Sequence, residues 1–402
     1  MTRTGFSPER LERARRVMRG HCQEAGGEVP GMVTVYSRHG ETHVEAHGAA
    51  TIGGAQTARD TIFRIASLTK PVTAVAVMIL VEECVLRLDD PVDEHLPELA
   101  DRRVLAHVDA ALDETVQAHR PITIRDLLTF TYGFGVHMGG NDANPVQRAK
   151  TRLGFADGPP QPASVPGPDE VMRRLGSLPL MYQPGERWSY NTGSDVLGVL
   201  VARASGRPFD AFLTERVFAP LGMRDTGFSV PAEKIGRLAT AYTADEDGAT
   251  AVYDPAEGGQ WASPPPFPSG AGGLVSTAVD YLAFARMLIN GGRHPGGRIL
   301  SRPSVAAMTT GHLTEAQRAH GGFFPDDFAA ENWGFGVSVT TRRTGLAGPG
   351  AYGWDGGLGT VWRNDPAEDL TAVLLTQKAW TGPAGPRVAG DFLTCAYQAI
   401  DD

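Results

Sequence analysis

The stretch Phe63-Arg64-Ile65-Ala66-Ser67-Leu68-Thr69-Lys70-Pro71 decides the fold, because it predicts a short strand that runs directly into a buried helix. Residues 71–81 carry no charge, and a segment that is apolar on all sides predicts a helix inside a large domain. This segment is too short to span a bilayer. Ser67 and Lys70 are three positions apart, so the hydroxyl and the amine would lie on one helix face. A lysine at the mouth of such a helix is rare unless it has a partner or a function.

This spacing of a serine and a lysine has a chemical meaning. A serine hydroxyl becomes a strong nucleophile only when a base removes its proton. The Lys70 amine can act as that base if burial or a neighbouring cation lowers its pKa. The start of the helix also favours negative charge that develops at Ser67. Ser-x-x-Lys is a weak motif by itself, and the alternative is a helix-capping serine followed by a surface lysine.

Two later segments carry residues that suit the same chemistry. Residues 184–198 place Tyr190 just ahead of a second predicted helix. A tyrosine beside a lysine ammonium can be stabilised as a phenolate and act as a general base. Residues 352–360 bring glycines into a strand, where a free backbone N–H paired with that of Ser67 would form an oxyanion hole. Each segment alone also fits an ordinary packing tyrosine or a hairpin.

Strand patterns occur at both ends of the chain, with a helical block between them. The predicted elements of the two ends are a helix at 7–18, a hairpin at 32–46, a strand at 61–65, a helix at 278–289, strands at 334–339, 359–363 and 370–375, and a helix near 386–399. We therefore expect an α+β fold, in which N- and C-terminal segments form an antiparallel sheet flanked by helices, with an all-helical inserted domain. The expected domains are 1–88 with 226–402, and 89–225, with the active site in the cleft between them.

Composition excludes several classes of function. The 402 residues are 42% hydrophobic and 21% charged, as in soluble globular proteins. The net charge of -9 and the lack of a basic patch argue against a nucleic-acid partner. No signal segment is visible, and the cysteines Cys22, Cys84 and Cys395 are far apart, so we expect a cytoplasmic protein without a membrane partner. No zinc spacing is present, so we expect no metal or cofactor, and the oligomeric state is not indicated.

Taken in order, these segments resemble the serine β-lactamase and penicillin-binding-protein superfamily, whose nucleophile motif is Ser-x-x-Lys. The class C-like esterase branch, the family VIII carboxylesterases, is the most similar part of it. The segments that carry the resemblance are residues 63–70, 126–134, 185–198 and 269–277. The resemblance covers most of the chain and implies a β-lactamase/transpeptidase-like fold. No Gly-x-Ser-x-Gly is present, so an α/β-hydrolase mechanism is unsupported.

The resemblance also implies roles for individual residues. Ser67 would be the acylated nucleophile, and Lys70 and Tyr190 would form the base pair. The N–H groups of Ser67 and Gly357 would form the oxyanion hole. The residues expected to contact the substrate are Trp354, Asp355, Gly356, Asn191 and Phe134.

Two departures from the β-lactamase pattern bear on the substrate. The tyrosine motif there is Tyr-x-Asn, whereas here Thr192 holds the third position and the asparagine stands at 191. The third motif there begins with lysine, whereas here it reads Trp354-Asp355-Gly356. A charge-assisted hydrogen bond to a carboxylate is worth about 1.5–3 kcal/mol, so losing that cation beside Asp355 works against an anionic β-lactam. An indole wall at Trp354 favours a neutral ester.

The leading hypothesis is hydrolysis of a small-molecule carboxylic ester through an acyl-Ser67 intermediate, with the deacylating water activated by Tyr190. One alternative is acyl transfer to a small-molecule alcohol. Others are hydrolysis of a β-lactam or a D-amino-acid peptide, and a non-catalytic binding scaffold. The presence of Ser67, Lys70 and Tyr190 together argues against the scaffold.

Overall fold

The computed structural model of the chain describes residues 5–136, 140–155, 157–322, 327–382 and 385–402. The helices of these residues are α1 Pro8–Gly20, α2 Thr69–Glu82, α3 Ile124–Leu128, α4 Pro145–Arg152, α5 Pro168–Gly176, α6 Thr192–Ser205, α7 Phe209–Leu213, α8 Ala219–Leu221, α9 Ala278–Ile289, α10 Arg302–Met308, α11 Glu315–Ala319 and α12 Arg387–Gln398. The strands are β1 Gly31–Arg38, β2 Glu41–Gly48, β3 Phe63–Arg64, β4 Arg103–Leu105, β5 Thr115–Gln117, β6 Ala241–Ala244, β7 Thr250–Asp254, β8 Val275–Ser276, β9 Arg293–His294, β10 Gly297–Arg298, β11 Glu331–Trp333, β12 Ser338–Thr340, β13 Tyr352–Gly356, β14 Thr360–Asp365 and β15 Leu370–Thr376. Among these helices, none is long and apolar enough to cross a membrane.

One antiparallel sheet joins the two ends of the chain, as the sequence predicts. Seven strands of the described residues follow the order β11-β12-β13-β14-β15-β1-β2. The N-terminal hairpin enters the sheet through β1, where Met32 lies opposite Thr376 and Arg38 lies opposite Leu370. Helices α1 and α12 pack together on one side of the sheet, and α9 packs against β1, β14 and β15. The fold is therefore a helix-covered antiparallel sheet.

The segment 89–225 is mainly helical, but it also contains the hairpin β4–β5. Val104 lies opposite Val116 in this hairpin, and the Leu105 N–H donates to the Leu180 carbonyl at 2.9 Å. The insertion is thus not purely helical, and each of the two strands has at its centre a valine, a β-branched residue that favours strands. Most of its buried apolar side chains belong to the same continuous core as α2 and α9. The domain boundaries given above stay a prediction.

The predicted strand at 334–339 is wrong in its first half. Residues 334–337 form the turn between β11 and β12, which the Gly334 N–H closes on the Val337 carbonyl at 2.8 Å. Gly336 has φ +74°, and a Cβ there would lie 2.9 Å from the Lys70 carbonyl oxygen. The alternation of residues suggests a strand, but the close approach to α2 requires a turn with glycine.

Helix α2 forms the centre of the core, as its uncharged sequence predicts. All its residues from Thr69 to Leu80 are buried, including Lys70. Pro71 lies in the first turn, where its missing N–H breaks no helical hydrogen bond. A helix surrounded by protein on all sides holds its first turn, and therefore Lys70, in one place.

A buried ion pair fixes the strand that leads to Ser67. Arg64 and Asp254 are exposed by only 3% and 2%, and the Arg64 Nε donates to the Asp254 carboxylate at 2.9 Å. The same guanidinium donates to the Ala239 carbonyl at 2.6 Å and lies 5.1 Å from the centre of the Trp261 ring. Strand β3 is thereby anchored to β7, three residues ahead of the serine.

Asp254→Ala should destabilise the protein by about 3–5 kcal/mol, because it leaves the Arg64 charge buried without a counter-ion. The measurement is the free energy of unfolding in urea. The matched control is Asp90→Ala, which breaks the exposed Arg87–Asp90 pair at 3.5 Å and should cost less than about 1 kcal/mol. Equal, small effects of the two substitutions would show that the buried pair does not anchor β3.

Candidate active site

Ser67 lies in a tight turn, Ala66–Leu68, between β3 and α2. The Ile65 N–H donates to the Leu274 carbonyl at 3.0 Å, which fixes the entry to the turn. Ala66 has φ +45°, a left-handed conformation that costs a residue with a Cβ on the order of 1 kcal/mol. Strain of this kind persists only where the surrounding structure imposes it, and it presents Ser67 half-buried at the edge of a cavity.

The Lys70 amine is buried directly beside the serine. Its Nζ lies 3.0 Å from Ser67 Oγ and donates to the Ala271 carbonyl at 2.7 Å. Burial lowers the pKa of Lys70 to about 7, against the opposing effect of the Asp195 charge. A substantial fraction of the amine is therefore neutral near pH 7 and able to accept the Ser67 proton.

Tyr190 contacts the same serine from the other side. Its hydroxyl is hydrogen-bonded to Ser67 and accepts a hydrogen bond from Trp354 Nε1 at 2.7 Å. Lys70 Nζ lies over the Tyr190 ring, 4.4 Å from its centre. Burial raises the pKa of Tyr190, and the hydrogen bonds from Ser67 and Trp354 offset only part of that rise. The phenolate expected from the sequence is thus disfavoured, and the hydroxyl is neutral near pH 7.

A strained turn holds Tyr190 at the start of α6. Asn191 has φ +81° and ψ -72°, and the Thr192 N–H donates back to the Tyr190 carbonyl at 3.3 Å, which makes a γ-turn of the rare, strained kind. The same carbonyl accepts a hydrogen bond from the Val136 N–H at 2.9 Å. Asn191 lines the cavity, and its predicted contact with substrate stays a prediction.

Sequence reasoning missed the aromatic side chains that surround Tyr190. The ring centre of Tyr190 lies 5.6 Å from that of Trp188, 5.7 Å from that of Phe130 and 6.4 Å from that of Trp333. Trp354 completes this group at 5.6 Å. Trp188 is two residues from Tyr190 and offered a local signal, whereas Phe130 and Trp333 are brought there only by the tertiary fold.

The glycines after Trp354 have different roles. Gly357 and Ser67 both line the cavity, and the oxyanion hole expected from their N–H groups stays a prediction. Gly356 does not line the cavity, which corrects the sequence expectation. A Cβ at Gly356 would lie 2.5 Å from the Ile65 carbonyl oxygen, so glycine here allows β13 to pack against the nucleophile turn.

Asp355 lines the cavity, but its charge is compensated. Arg363 donates to both of its carboxylate oxygens, at 2.6 and 2.8 Å, and also lines the cavity. Asp355 therefore adds nothing to the argument against an anionic β-lactam, because a bidentate arginine neutralises its charge. Arg363 stands eight positions away on the neighbouring strand, and no local motif marked it.

Phe134 lies in the core and not in the cavity, so its predicted contact with substrate is not supported. It is 2% exposed and packs beside Tyr132, with ring centres 6.4 Å apart. Gly133 has φ +93°, and a Cβ at Gly135 would lie 2.6 Å from the Ser189 carbonyl oxygen. This close approach beneath the tyrosine segment directs Phe134 toward the core.

The cavity beside Ser67 has a volume of about 940 Å³, which suits a small-molecule ligand. Ser67, Tyr190, Trp354 and Gly357 all line it. Its apolar lining residues include Val136, Phe155, Val165, Val171, Leu175, Phe267 and Leu358. In the described part of the chain, no group of three or more His, Cys, Asp or Glu side chains is placed to hold a metal ion.

Comparison with known proteins gives the family to which this chain belongs. A sequence profile of the β-lactamase family matches residues 15–390. Protein Rv1367c of Mycobacterium tuberculosis is 40% identical to this chain over 363 residues, which cover 87% of this chain and 86% of the relative. Esterase EstB of Burkholderia gladioli is 34% identical over 378 residues, which cover 89% and 88%.

The chain is also similar in structure to a solved hydrolase. EstCE1, described as a hydrolase with promiscuous acyltransferase activity, has a TM-score of 0.78 and 27% identity, over 97% of this chain and 99% of that one. The profile match and the esterase relatives identify this protein as a serine hydrolase. It belongs to the β-lactamase family and, within the serine β-lactamase and penicillin-binding-protein superfamily, to the esterase branch.

Proposed function

We propose that the protein hydrolyses carboxylic esters of small molecules through an acyl intermediate on Ser67, with Lys70 as the base. The observation that carries this proposal is the 3.0 Å contact between Ser67 Oγ and a buried amine whose pKa is lowered to about 7. A base whose pKa lies near the working pH is largely present in its neutral form and is still basic enough to take the proton. The 34% identity to Esterase EstB supports the ester as substrate.

Acylation begins with transfer of the Ser67 hydroxyl proton to the neutral Lys70 amine. The serine oxygen attacks the ester carbonyl, and the N–H groups of Ser67 and Gly357 bind the resulting oxyanion. When the tetrahedral intermediate collapses, the carbon–oxygen bond to the alcohol breaks. In the proposed mechanism Tyr190, whose hydroxyl is hydrogen-bonded to Ser67, relays the proton from the Lys70 ammonium to the departing alkoxide.

Deacylation repeats these steps with water in place of the serine. Lys70 is neutral again after the alcohol leaves, so it can take a proton from water through Tyr190. Hydroxide attacks the acyl carbonyl, the bond to Ser67 Oγ breaks, and the proton returns to the serine. In this scheme Trp354 stabilises the Tyr190 oxygen by its hydrogen bond each time the tyrosine proton moves.

The surroundings of Ser67 favour a neutral substrate. The position that carries lysine in β-lactamases carries Trp354, whose N–H is already used by Tyr190. The Asp355–Arg363 pair next to it adds no net charge. The argument against an anionic β-lactam therefore rests on the missing lysine and not on Asp355.

Acyl transfer to a small alcohol is a second candidate function, supported by the activity named for EstCE1 and by the cavity of about 940 Å³ beside Ser67. An alcohol that occupies the leaving-group position could replace water in the second half of the reaction. Adding an alcohol to the ester assay distinguishes the two functions, because transfer yields the new ester and lowers the yield of free acid.

A short-chain p-nitrophenyl ester should be turned over at least about 10-fold more efficiently, in kcat/KM, than a chromogenic cephalosporin. We base this on the loss of the carboxylate-binding lysine, worth about 1.5–3 kcal/mol, which is 10- to 100-fold, and on the indole wall at Trp354. Both substrates are assayed with the Ser67→Ala protein as background. Efficient cephalosporin turnover with negligible ester cleavage would reverse the proposed substrate preference.

A further inference from the structure

The mechanism above gives no role to Asp195, which is hydrogen-bonded to the loop that holds the Lys70 amine. It lies in the first turn of α6, five residues after Tyr190, and lines the cavity half-buried. Its Oδ1 accepts hydrogen bonds from Ser269 Oγ at 2.6 Å and from the Ala271 N–H at 3.1 Å. The Ala271 carbonyl in turn accepts the hydrogen bond from Lys70 Nζ at 2.7 Å. Ala271 thus links the Asp195 carboxylate to the Lys70 amine, since its N–H contacts one and its carbonyl the other.

We propose that Asp195 is a positioning residue for the ester hydrolysis, which holds the 269–273 loop in place and whose charge sets the pH at which Lys70 becomes available as a base. The inference rests on the proposed function, since it assumes that Lys70 acts on Ser67. It adds a second role for α6, which carries Asp195 as well as placing Tyr190.

Hydrogen bonds and positive charges around Asp195 favour its carboxylate form. Two donors converge on one of its oxygens, and hydrogen bonds to the charged form of a carboxylate favour that form. Burial raises the pKa of Asp195, but the Ser269 hydrogen bond and the positive charges of Lys70 and Lys150 oppose the rise. Lys150 is buried on α4 and paired with Asp157, so this side of the cavity carries charges of both signs.

The other titratable groups near Lys70 act less directly. Tyr190 faces it with its ring and is neutral near pH 7, and Tyr132 lies near Asp195 with a pKa raised by burial. Asp355 acts on Tyr190, but Arg363 compensates its charge. Asp195 is therefore the negative charge that acts on the Lys70 amine and keeps its pKa from falling further with burial.

The consequence for activity has a definite sign. The amine works as a base only when it is neutral, so kcat/KM should rise with pH through the pKa of Lys70, near pH 7. The negative charge of Asp195 stabilises the ammonium and raises that pKa. Removing this charge lowers the pKa and should move the acidic limb of the profile to lower pH, by about one unit.

Asp195→Asn is the decisive variant, because an amide oxygen can still accept from Ser269 and Ala271 while the charge is gone. We expect its kcat/KM profile for p-nitrophenyl acetate, measured over roughly pH 5 to pH 9, to have its acidic limb about one pH unit below that of the wild type. The matched control is Ser269→Ala, which removes one hydrogen bond to the loop and keeps the charge. It should lower kcat/KM several-fold and leave the limb in place.

An unmoved or upward-shifted limb in Asp195→Asn would overturn the inference, and so would an equal shift in Ser269→Ala. If Asp195→Asn does not fold, Asp195→Ser removes the same charge and should show the same downward shift; an unmoved limb in that variant also overturns the inference. Fluorophosphonate labelling of the wild type is measured in parallel. Absence of both labelling and turnover in the wild type would contradict the proposed function itself, whereas normal turnover with the wrong pH profile would contradict only the role of Asp195.

Discussion

Ser67→Ala should lower ester turnover by about 10⁴-fold or more, which is the largest loss of activity that we expect from a single substitution. Alanine removes the oxygen that forms the acyl bond and changes little else, because Ser67 is half-buried at the cavity edge. The proposed oxyanion donors are backbone groups and remain in place, so weak residual catalysis by water can persist. The measurement is kcat/KM for p-nitrophenyl acetate.

The control for this substitution is Ser177→Ala, at an exposed serine after α5 whose hydroxyl donates to the Arg174 carbonyl at 2.7 Å. It should leave turnover unchanged, which separates loss of the nucleophile from a general effect of handling or expression. Turnover by Ser67→Ala within tenfold of the wild type would mean that another residue is the nucleophile.

Lys70→Ala should lower kcat/KM by about 10³- to 10⁴-fold, because Ser67 then loses the neutral amine that can take its proton near pH 7. Tyr190 does not replace it, since burial keeps its hydroxyl protonated. The buried stem of Lys70 also fills space between α2 and the Ala271 carbonyl, so the variant leaves a small cavity beside Ser67. The measurement is kcat/KM together with the rate of fluorophosphonate labelling.

That cavity provides a sharp control. A small primary amine such as methylamine can enter it, and added amine should restore part of the activity in Lys70→Ala while leaving the wild type unaffected. Lys234→Ala, at a lysine paired with Asp225 on the surface, should have no effect. A loss of less than tenfold in Lys70→Ala, or a loss that amine does not reduce at all, would indicate that Lys70 supports the structure and does not act as the base.

The sequence predicts those parts of the fold that depend on local pattern. The uncharged run of α2, the β1–β2 hairpin and the helix at 278–289 are all found where expected. The turn at 334–337 was missed because its alternating residues resemble a strand, and only contact with Lys70 shows why glycine is needed there. Packing between distant segments leaves no local signature.

In the candidate site, too, some residues are predictable from local motifs and others only from the tertiary structure. Ser67, Lys70 and Tyr190 belong to short motifs, and the structure brings them together around one hydroxyl. Arg363 and Asp195 were not predicted to have roles, although Asp195 lies within the tyrosine motif. Their partners come from other segments, so their meaning depends on the tertiary structure.

The acyl-enzyme itself provides the most direct test of the central claim. The protein is mixed with an excess of a slowly hydrolysed ester, quenched in acid during the first turnover, and analysed by intact mass and peptide mapping. We predict one added acyl group, on the peptide that contains Ser67, and none in Ser67→Ala. An acyl group on another residue, or turnover at a normal rate with no acylated protein at any quench time, would contradict the account.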